Sequence, residues 1–245
     1  MIGKKLTKLS GFFLTSLYLG LLIAYATIMA LCVDAVVFDL GRVLINYDWS
    51  GPVRQLSSLT GFCEEDVKSR VFNRDIFQQF ERGQIEPASF YRRVCDSVGL
   101  TMSFEEFCGL WNSIFTEGEV EPIVKVAKRL LSCSNIKVAA LSNTNFIHVQ
   151  YLKKIWPLLN QLPYQFLSCE MGSRKPEEAI FTATIKTLRV EPEKILFVDD
   201  LKDNIIAARK FGLITVHVQD PFASAEEIES VIFNTTELDP ELLCF

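Results

Sequence analysis

The chain has 245 residues, room for one domain of ordinary size or for a core carrying an inserted subdomain. Its hydrophobic fraction of 49% is ample for a large core, although the first thirty residues inflate it. A net charge of −5 argues against a nucleic-acid partner, and two histidines far apart in sequence, His148 and His217, give a histidine metal site or a Ser/His triad little material. Carboxylate chemistry is the better expectation.

Residues 1–30 form a hydrophobic N-terminal segment. "MIGKKLTKLS" is basic, and residues 11–32 carry no charge, a run long enough to span a bilayer as a helix. Ala24-Tyr25-Ala26 resembles a small-residue signal cleavage site, and Lys4, Lys5 and Lys8 would stay on the cytoplasmic side. Against an anchor, the apolar run meets the first core strand at about Val33 with almost no linker, and Met29 would serve as a start by itself. Three readings stay open: an uncleaved anchor with membrane contact through residues 11–32, a cleaved export signal, or an upstream extension of a mis-called start. The seven cysteines are odd in number, scattered and without a C-x-x-C pair. They suit buried free thiols in a reducing compartment, which favours a cytoplasmic catalytic domain.

The first core strand, 33–38, ends on Asp39, and the chain then turns at Gly41. Residues 49–118 contain four helical stretches, roughly 52–59, 64–81, 87–98 and 103–115, with Pro87 and the capping box Ser103-x-x-Glu106 marking two of the starts. With no strand among them, they read as a small helical cap inserted between the first and second core strands. Beyond it, "IKVAAL" (136–141), "YQFLS" (164–168), "KILFV" (194–198) and "LITVHV" (213–218) read as strands separated by helical patterns. Unbroken apolar strands alternating with helices predict an α/β fold, a Rossmann-like parallel sheet covered on both faces and built from 31–48 and 119–219. Residues 220–245 read as a C-terminal tail.

Polar residues cluster just past these strands. Asp39 follows the first, Ser142-Asn143-Thr144-Asn145 the second, Gly172-Ser173-Arg174-Lys175-Pro176 the third, and Asp199-Asp200 the fourth. All would meet at the carboxyl edge of the sheet, where open α/β sheets bind ligands. Singly, each has a plain alternative: a strand-ending Asp39 bonding nearby amides, a helix-capping Ser142, a solvated Lys175. Two adjacent acids after "ILFV" are harder to dismiss, because they repel each other unless a cation or an amide cluster sits beside them. Asp203 and Asn204 read as caps of a helix over 204–211, with Asn204 also able to orient the acid pair. A carboxylate can attack a phosphoryl group to form an aspartyl-phosphate, and magnesium held by carboxylates would neutralise the meeting of two anions.

The chain resembles hydrolases of the haloacid-dehalogenase superfamily, subfamily IA, over nearly all of 33–219. Four motifs appear in the family's order: Asp39 in "VFDLGRVL", Ser142 in "LSNTN", Lys175 in "GSRKPE" and Asp199-Asp200 in "LFVDDLKDN". "FERGQIEPASFYRRV" is similar to cap sequences of the phosphatase branch, and the motif wording is most similar to that of bacterial α-D-glucose-1-phosphate phosphatases. The resemblance implies a Mg2+-dependent phosphomonoesterase acting on a small phosphorylated substrate such as a sugar phosphate. By position, Asp39 would be nucleophile and metal ligand, and the Gly41 carbonyl and Asp200 further ligands, with Asp199 beside them through water. Ser142, Asn143 and Lys175 would bind phosphate, and Lys175 would keep Asp39 ionised. Arg92, Arg93, Trp111 and Phe115 could line the pocket but read as ordinary packing. Oligomeric state is not legible. A dehalogenase sharing the nucleophile, or a non-catalytic relative, is the rival reading.

One position departs from the family. Where the second carboxylate of the first motif should stand, the chain has Gly41, followed by Arg42. A guanidinium does not release its proton in the useful range, so Arg42 cannot replace that acid. The site should therefore favour easily departing groups, such as anomeric or acyl phosphates. On this reading Gly41→Asp helps alkyl phosphates more than anomeric ones in a hydrolysis assay, and an equal response of the two classes would defeat it.

Overall fold

Four apolar residues in a row, Ala-Val-Val-Phe, leave no polar face, and the strand they form, β1 (Ala35–Phe38), is wholly buried. The computed structural model describes residues 33–72 and 74–233. In it β1 is the centre of a five-stranded sheet ordered β3-β2-β1-β4-β5. Its partners are β2 (Lys137–Ser142), β3 (Tyr164–Leu167), β4 (Ile195–Asp199) and β5 (Ile214–His217), and every pairing is parallel. Phe38 stands opposite both Ala140 and Val198, so β1, β2 and β4 finish nearly level. That register brings the ends of three motifs to one edge.

Side chains alternate across the sheet and fill two separate cores. Val36 and Phe38 face one, with Ala140 and Val198; Ala35 and Val37 face the other, with Phe197 and Phe181. Helices α6 (Glu121–Leu131), α7 (Phe146–Ile155) and α8 (Pro157–Gln161) cover the first face. Helices α10 (Glu178–Leu188) and α11 (Lys202–Lys210) cover the second. The short α9 (Ser168–Met171) follows β3. Residues 221–233, expected as a tail, instead form helix α12 (Pro221–Phe233), which buries Ala225, Ile228 and Ile232 in the first core. Their spacing of three and four residues is that of a helical stripe.

Between β1 and β2 lie five helices: α1 (Ser50–Thr60), α2 (Glu64–Val71), α3 (Arg74–Glu81), α4 (Pro87–Val98) and α5 (Phe104–Asn112). The single helix expected over 64–81 is two. Phe72 ends α2 with φ −94° and ψ 31°, and its ring packs edge-on against Trp49 at 4.9 Å. The capping box at Ser103 and Glu106 closes as expected. The insertion has its own core, in which Phe80 stacks on Phe90 with ring centroids 3.9 Å apart. Its two connecting segments run side by side: Asn46 N–H donates to Gly118 O at 2.9 Å and Val120 N–H to Leu44 O at 3.0 Å.

The insertion docks on the core where α5 meets α7, with Ile147 buried in the insertion's own core, and at three successive residues after Phe80. Glu81 pairs with Arg174 at 2.8 Å, and Arg82 Nε donates to Glu177 at 2.9 Å. Gly83 has φ +66°, and a β-carbon there would lie 2.1 Å from the carbonyl oxygen of Cys169. Among the described residues no cysteine is in a disulfide; Cys95, Cys133 and Cys169 are buried and Cys63 is exposed. Among the described residues no helix is long and apolar enough to cross a membrane, and the hydrophobic segment 1–30 lies outside them.

Gly99 has a similar φ of +65° but no atom within 4 Å of an added β-carbon. Gly99→Ala should therefore cost about 1 kcal/mol from backbone strain alone. Gly83→Ala adds a backbone clash and should cost roughly 2 kcal/mol more, which thermal unfolding of the two variants would resolve.

Candidate active site

The site is organised around a lysine that burial would otherwise forbid. Lys175 is 1% exposed, and its ammonium touches Asp199 Oδ2 at 2.6 Å and Asp39 Oδ1 at 2.9 Å. Desolvation pulls its pKa down, but the two carboxylates outweigh that and raise it. Asn143 fixes the peptide of Lys175 from both sides: its Oδ1 accepts from Lys175 N–H at 2.7 Å, and its Nδ2 donates to Lys175 O at 2.9 Å. Asn143 also borders the cavity, so it joins the Lys175 loop to the site wall.

Asp39 follows β1, its N–H donating to Val198 O at 2.8 Å. The Leu40 N–H reaches Asp39 Oδ1 at 2.7 Å, the same oxygen that Lys175 touches. Burial raises the Asp39 pKa to about 7, with the Asp199 charge adding and Lys175 opposing. Asp199, fully buried, has both oxygens taken: Oδ1 accepts from Leu201 N–H at 2.8 Å and Asn204 Nδ2 at 2.9 Å, and Oδ2 from Lys175. Asn204 thus orients Asp199. Neither it nor Asp203 caps α11, whose N-cap is Leu201, so that expectation is corrected.

Asp200 borders the cavity, its pKa raised first by burial and then by Asp199. His217 on β5 holds its peptide, Nε2 donating to Asp200 O at 2.9 Å. Oxygens of Asp39, Asp199 and Asp200 lie within 4.8 Å of one another. Three carboxylates against one lysine form a hard-oxygen donor set with excess negative charge, which fits a divalent cation of the magnesium kind. Ser142, buried at the end of β2, faces the same cavity, and Asn145 rather than Ser142 caps α7.

The cavity, about 240 Å³, is bordered by Asp39, Ser142, Lys175 and Asp200, by Tyr47, Glu81 and Arg174, and by the apolar side chains of Ile45, Trp49, Phe77, Ile114, Phe115 and Leu152. His148 also borders it, its Nδ1 bonded to Asn112 Oδ1 at 2.9 Å. Burial pushes its pKa down to about 3, so the ring is neutral at any working pH. Phe115 borders the cavity, whereas Trp111 is packed in the insertion's core and Arg92 and Arg93 are exposed.

The hole at Gly41 is filled. A β-carbon there would meet Tyr47 Cε1 at 2.6 Å and Cδ1 at 3.1 Å. Gly41→Asp alone must push that ring aside, so the single substitution does not isolate a leaving-group effect. Arg42, in a left-handed conformation at φ 58°, lies over the Tyr47 ring at 5.1 Å. Burial raises the phenol's pKa. Nothing in the local sequence marks Tyr47, because its partner is an absence of side chain.

What this edge offers a substrate is a carboxylate flanked by a buried ammonium, an arrangement suited to nucleophilic chemistry by a carboxylate. The chain belongs to the haloacid dehalogenase-like hydrolase family, whose model matches residues 33–212. It is 28% identical over 203 residues to the sesquiterpene phosphatase astK of Aspergillus oryzae, covering 81% of this chain and 96% of that protein. It is also 28% identical over 207 residues to a D-ribitol-5-phosphate phosphatase of Bacteroides thetaiotaomicron, covering 82% and 98%. Among solved structures, a HAD-family enzyme of that bacterium, in complex with magnesium and inorganic phosphate, matches with a TM-score of 0.67 and 27% identity, over 76% of this chain and 94% of that one. The L-2-haloacid dehalogenase of Xanthobacter autotrophicus, at 17% identity and a TM-score of 0.54 over 83% and 86% of the two chains, shares the fold.

Since Asp39 titrates near 7 when folded against about 3.9 when unfolded, it favours the folded state fully below about pH 4 and loses that contribution as pH rises through 7. Asp39→Asn, which stays neutral, escapes the loss. Without divalent cations, the unfolding temperature of the parent should fall relative to that of Asp39→Asn as pH rises from about 4 to about 7, and change little further above that.

Proposed function

We propose that the protein is a magnesium-dependent phosphomonoesterase that acts on a small phosphorylated metabolite through an aspartyl-phosphate at Asp39. The observation that carries this is the meeting of Asp39, Ser142, Lys175 and Asp200 around one cavity, on the edge where Lys175 already bridges two acids. Both protein donors to Asp39 fall on Oδ1, which leaves Oδ2 as the attacking oxygen. The Lys175 ammonium favours the ionised carboxylate against its burial and faces the phosphoryl oxygens together with the Ser142 hydroxyl. Asp39, Asp200 and the Gly41 carbonyl are the groups to hold magnesium, which when bound offsets the charge of the incoming phosphate. Asp199, with both oxygens occupied, holds Lys175 and reaches the cation at most through water. The helical insertion serves as the cap that closes over the organic part of the substrate.

The sequence suggested a sugar phosphate, and the two phosphatase relatives, one named for a sesquiterpene and one for ribitol 5-phosphate, diverge on this point. The side chains of Ile45, Trp49, Phe77, Ile114, Phe115 and Leu152 around the cavity support an organic part with apolar surface, which they would remove from water.

With magnesium, the parent should hydrolyse phosphomonoesters and Asp39→Asn should lose at least about 10³-fold in kcat. Excess chelator should stop the parent; activity that persists there, on a 2-haloacid, would establish the dehalogenase instead. Phosphates of short branched alcohols should exceed ribitol 5-phosphate in kcat/KM by about tenfold, the worth of one to two buried methylenes. A preference for ribitol 5-phosphate would restore the sugar-phosphate reading.

A further inference from the structure

Gly41 and Tyr47 form a matched pair in the wall of the cavity. The edge of the Tyr47 ring stands where the β-carbon of residue 41 would go, with Cε1 2.6 Å and Cζ 3.7 Å from that point. The phenol oxygen is one bond beyond Cζ, on a ring that borders the same cavity as Asp39 and Asp200. A side chain at position 41 and this ring in its present position cannot both be accommodated. The ring is also held: Arg42 covers it at 5.1 Å, and the turn carrying Arg42 is closed by Arg42 N–H donating to Ile45 O at 2.8 Å. A phenol is a neutral donor throughout the neutral range, because its ordinary pKa is about 10.

We propose that Tyr47 substitutes for the carboxylate missing at Gly41, its O–H donating a hydrogen bond to the oxygen of the departing alcohol. This rests on the phosphomonoesterase reading. In the first step Asp39 Oδ2 bonds to phosphorus and the P–O bond to the alcohol breaks. Its electron pair goes to the alcohol oxygen, which is stabilised by the Tyr47 hydroxyl and takes a proton from solvent water. In the second step water attacks phosphorus, the bond to Asp39 breaks with its electron pair returning to the carboxylate, and the released proton returns to solvent. The sum is monoester plus water giving alcohol plus inorganic phosphate. A donor at the leaving oxygen matters in proportion to the charge that builds there, so Tyr47 should count most for alcohols that leave reluctantly.

Tyr47→Phe keeps the ring against Gly41 and removes only the hydroxyl. With magnesium, kcat/KM of parent and variant would be measured on 4-nitrophenyl phosphate, a ready leaving group, and on n-butyl phosphate, a poor one. The variant should lose about 10²-fold on n-butyl phosphate and less than about threefold on 4-nitrophenyl phosphate. An equal loss on both, or none on either, overturns the role, since simple misplacement of the site slows both alike. A second pair guards against a packing effect: Gly41→Asp in a Tyr47→Ala background opens the slot and returns an acid to it. That double variant should recover n-butyl phosphate hydrolysis at least tenfold over Tyr47→Ala alone, by the usual worth of a positioned acid; no recovery counts against the proposal. A parent inert to both esters and indistinguishable from Asp39→Asn would instead remove the phosphomonoesterase reading itself.

Discussion

The structure depends on a charge held where water cannot reach it. Burying an ammonium is tolerable only if opposite charge comes with it, and Lys175 brings two carboxylates, from different strands, to 2.6 and 2.9 Å. To meet them it must arrive on a loop fixed from outside, which is what the double hydrogen bond from Asn143 provides. The strand order β2-β1-β4 makes the meeting possible, because the ends of those strands are neighbours only in that arrangement. One buried cation thereby ties three motifs and the central sheet into a single electrostatic unit. With Asp200 added, that unit remains short of positive charge.

Much of this was written in the chain. The unbroken apolar runs before Asp39, Ser142 and Asp199 specify strands buried on both faces, and parallel strands deliver the residues at their carboxyl ends to one edge. Adjacent acids at Asp199 and Asp200 signalled a cation or donor cluster nearby, and both Lys175 and the Asn204 amide are found there. Other features escaped for physical reasons. Tyr47 acts through proximity to a glycine, and a glycine advertises nothing about what fills the space beside it. The grip of Asn143 on the Lys175 peptide was not legible, because the two residues are 32 positions apart and only the fold brings them together. The break between α2 and α3 was missed because the apolar spacing runs on through it; Phe72, where α2 ends, packs on Trp49 across the insertion. Likewise α12 was overlooked because its stripe of Ala225, Ile228 and Ile232 has meaning only once the sheet face is there to receive it.

The "FERG" stretch shows the opposite case, a run similar to cap sequences of related enzymes whose physical content becomes visible only in three dimensions. Phe80 faces the insertion's own core, while the next three residues turn outward to meet the sheet domain. Glu81 and Arg82 form oppositely directed ion pairs with Arg174 and Glu177, so neither partner surface carries a net excess at the contact. Arg174 is the residue before Lys175. Whatever draws the insertion away from the core therefore pulls on the loop that carries the buried ammonium.

The side-by-side connectors at residues 44–48 and 114–120 have a consequence for how such a chain is assembled and altered. Because the two segments are already hydrogen-bonded to each other, the helices between them begin and end at nearly the same point in space. To the sheet, everything from α1 to α5 is one loop with fixed ends. The entropy of closing a loop grows only slowly with its length, about 0.6 kcal/mol per doubling. A lineage can thus lengthen, shorten or exchange this stretch at small cost to the core. The sheet edge that carries Asp39 and Lys175 and the helices of the insertion sit on opposite sides of that seam and are free to change at different rates.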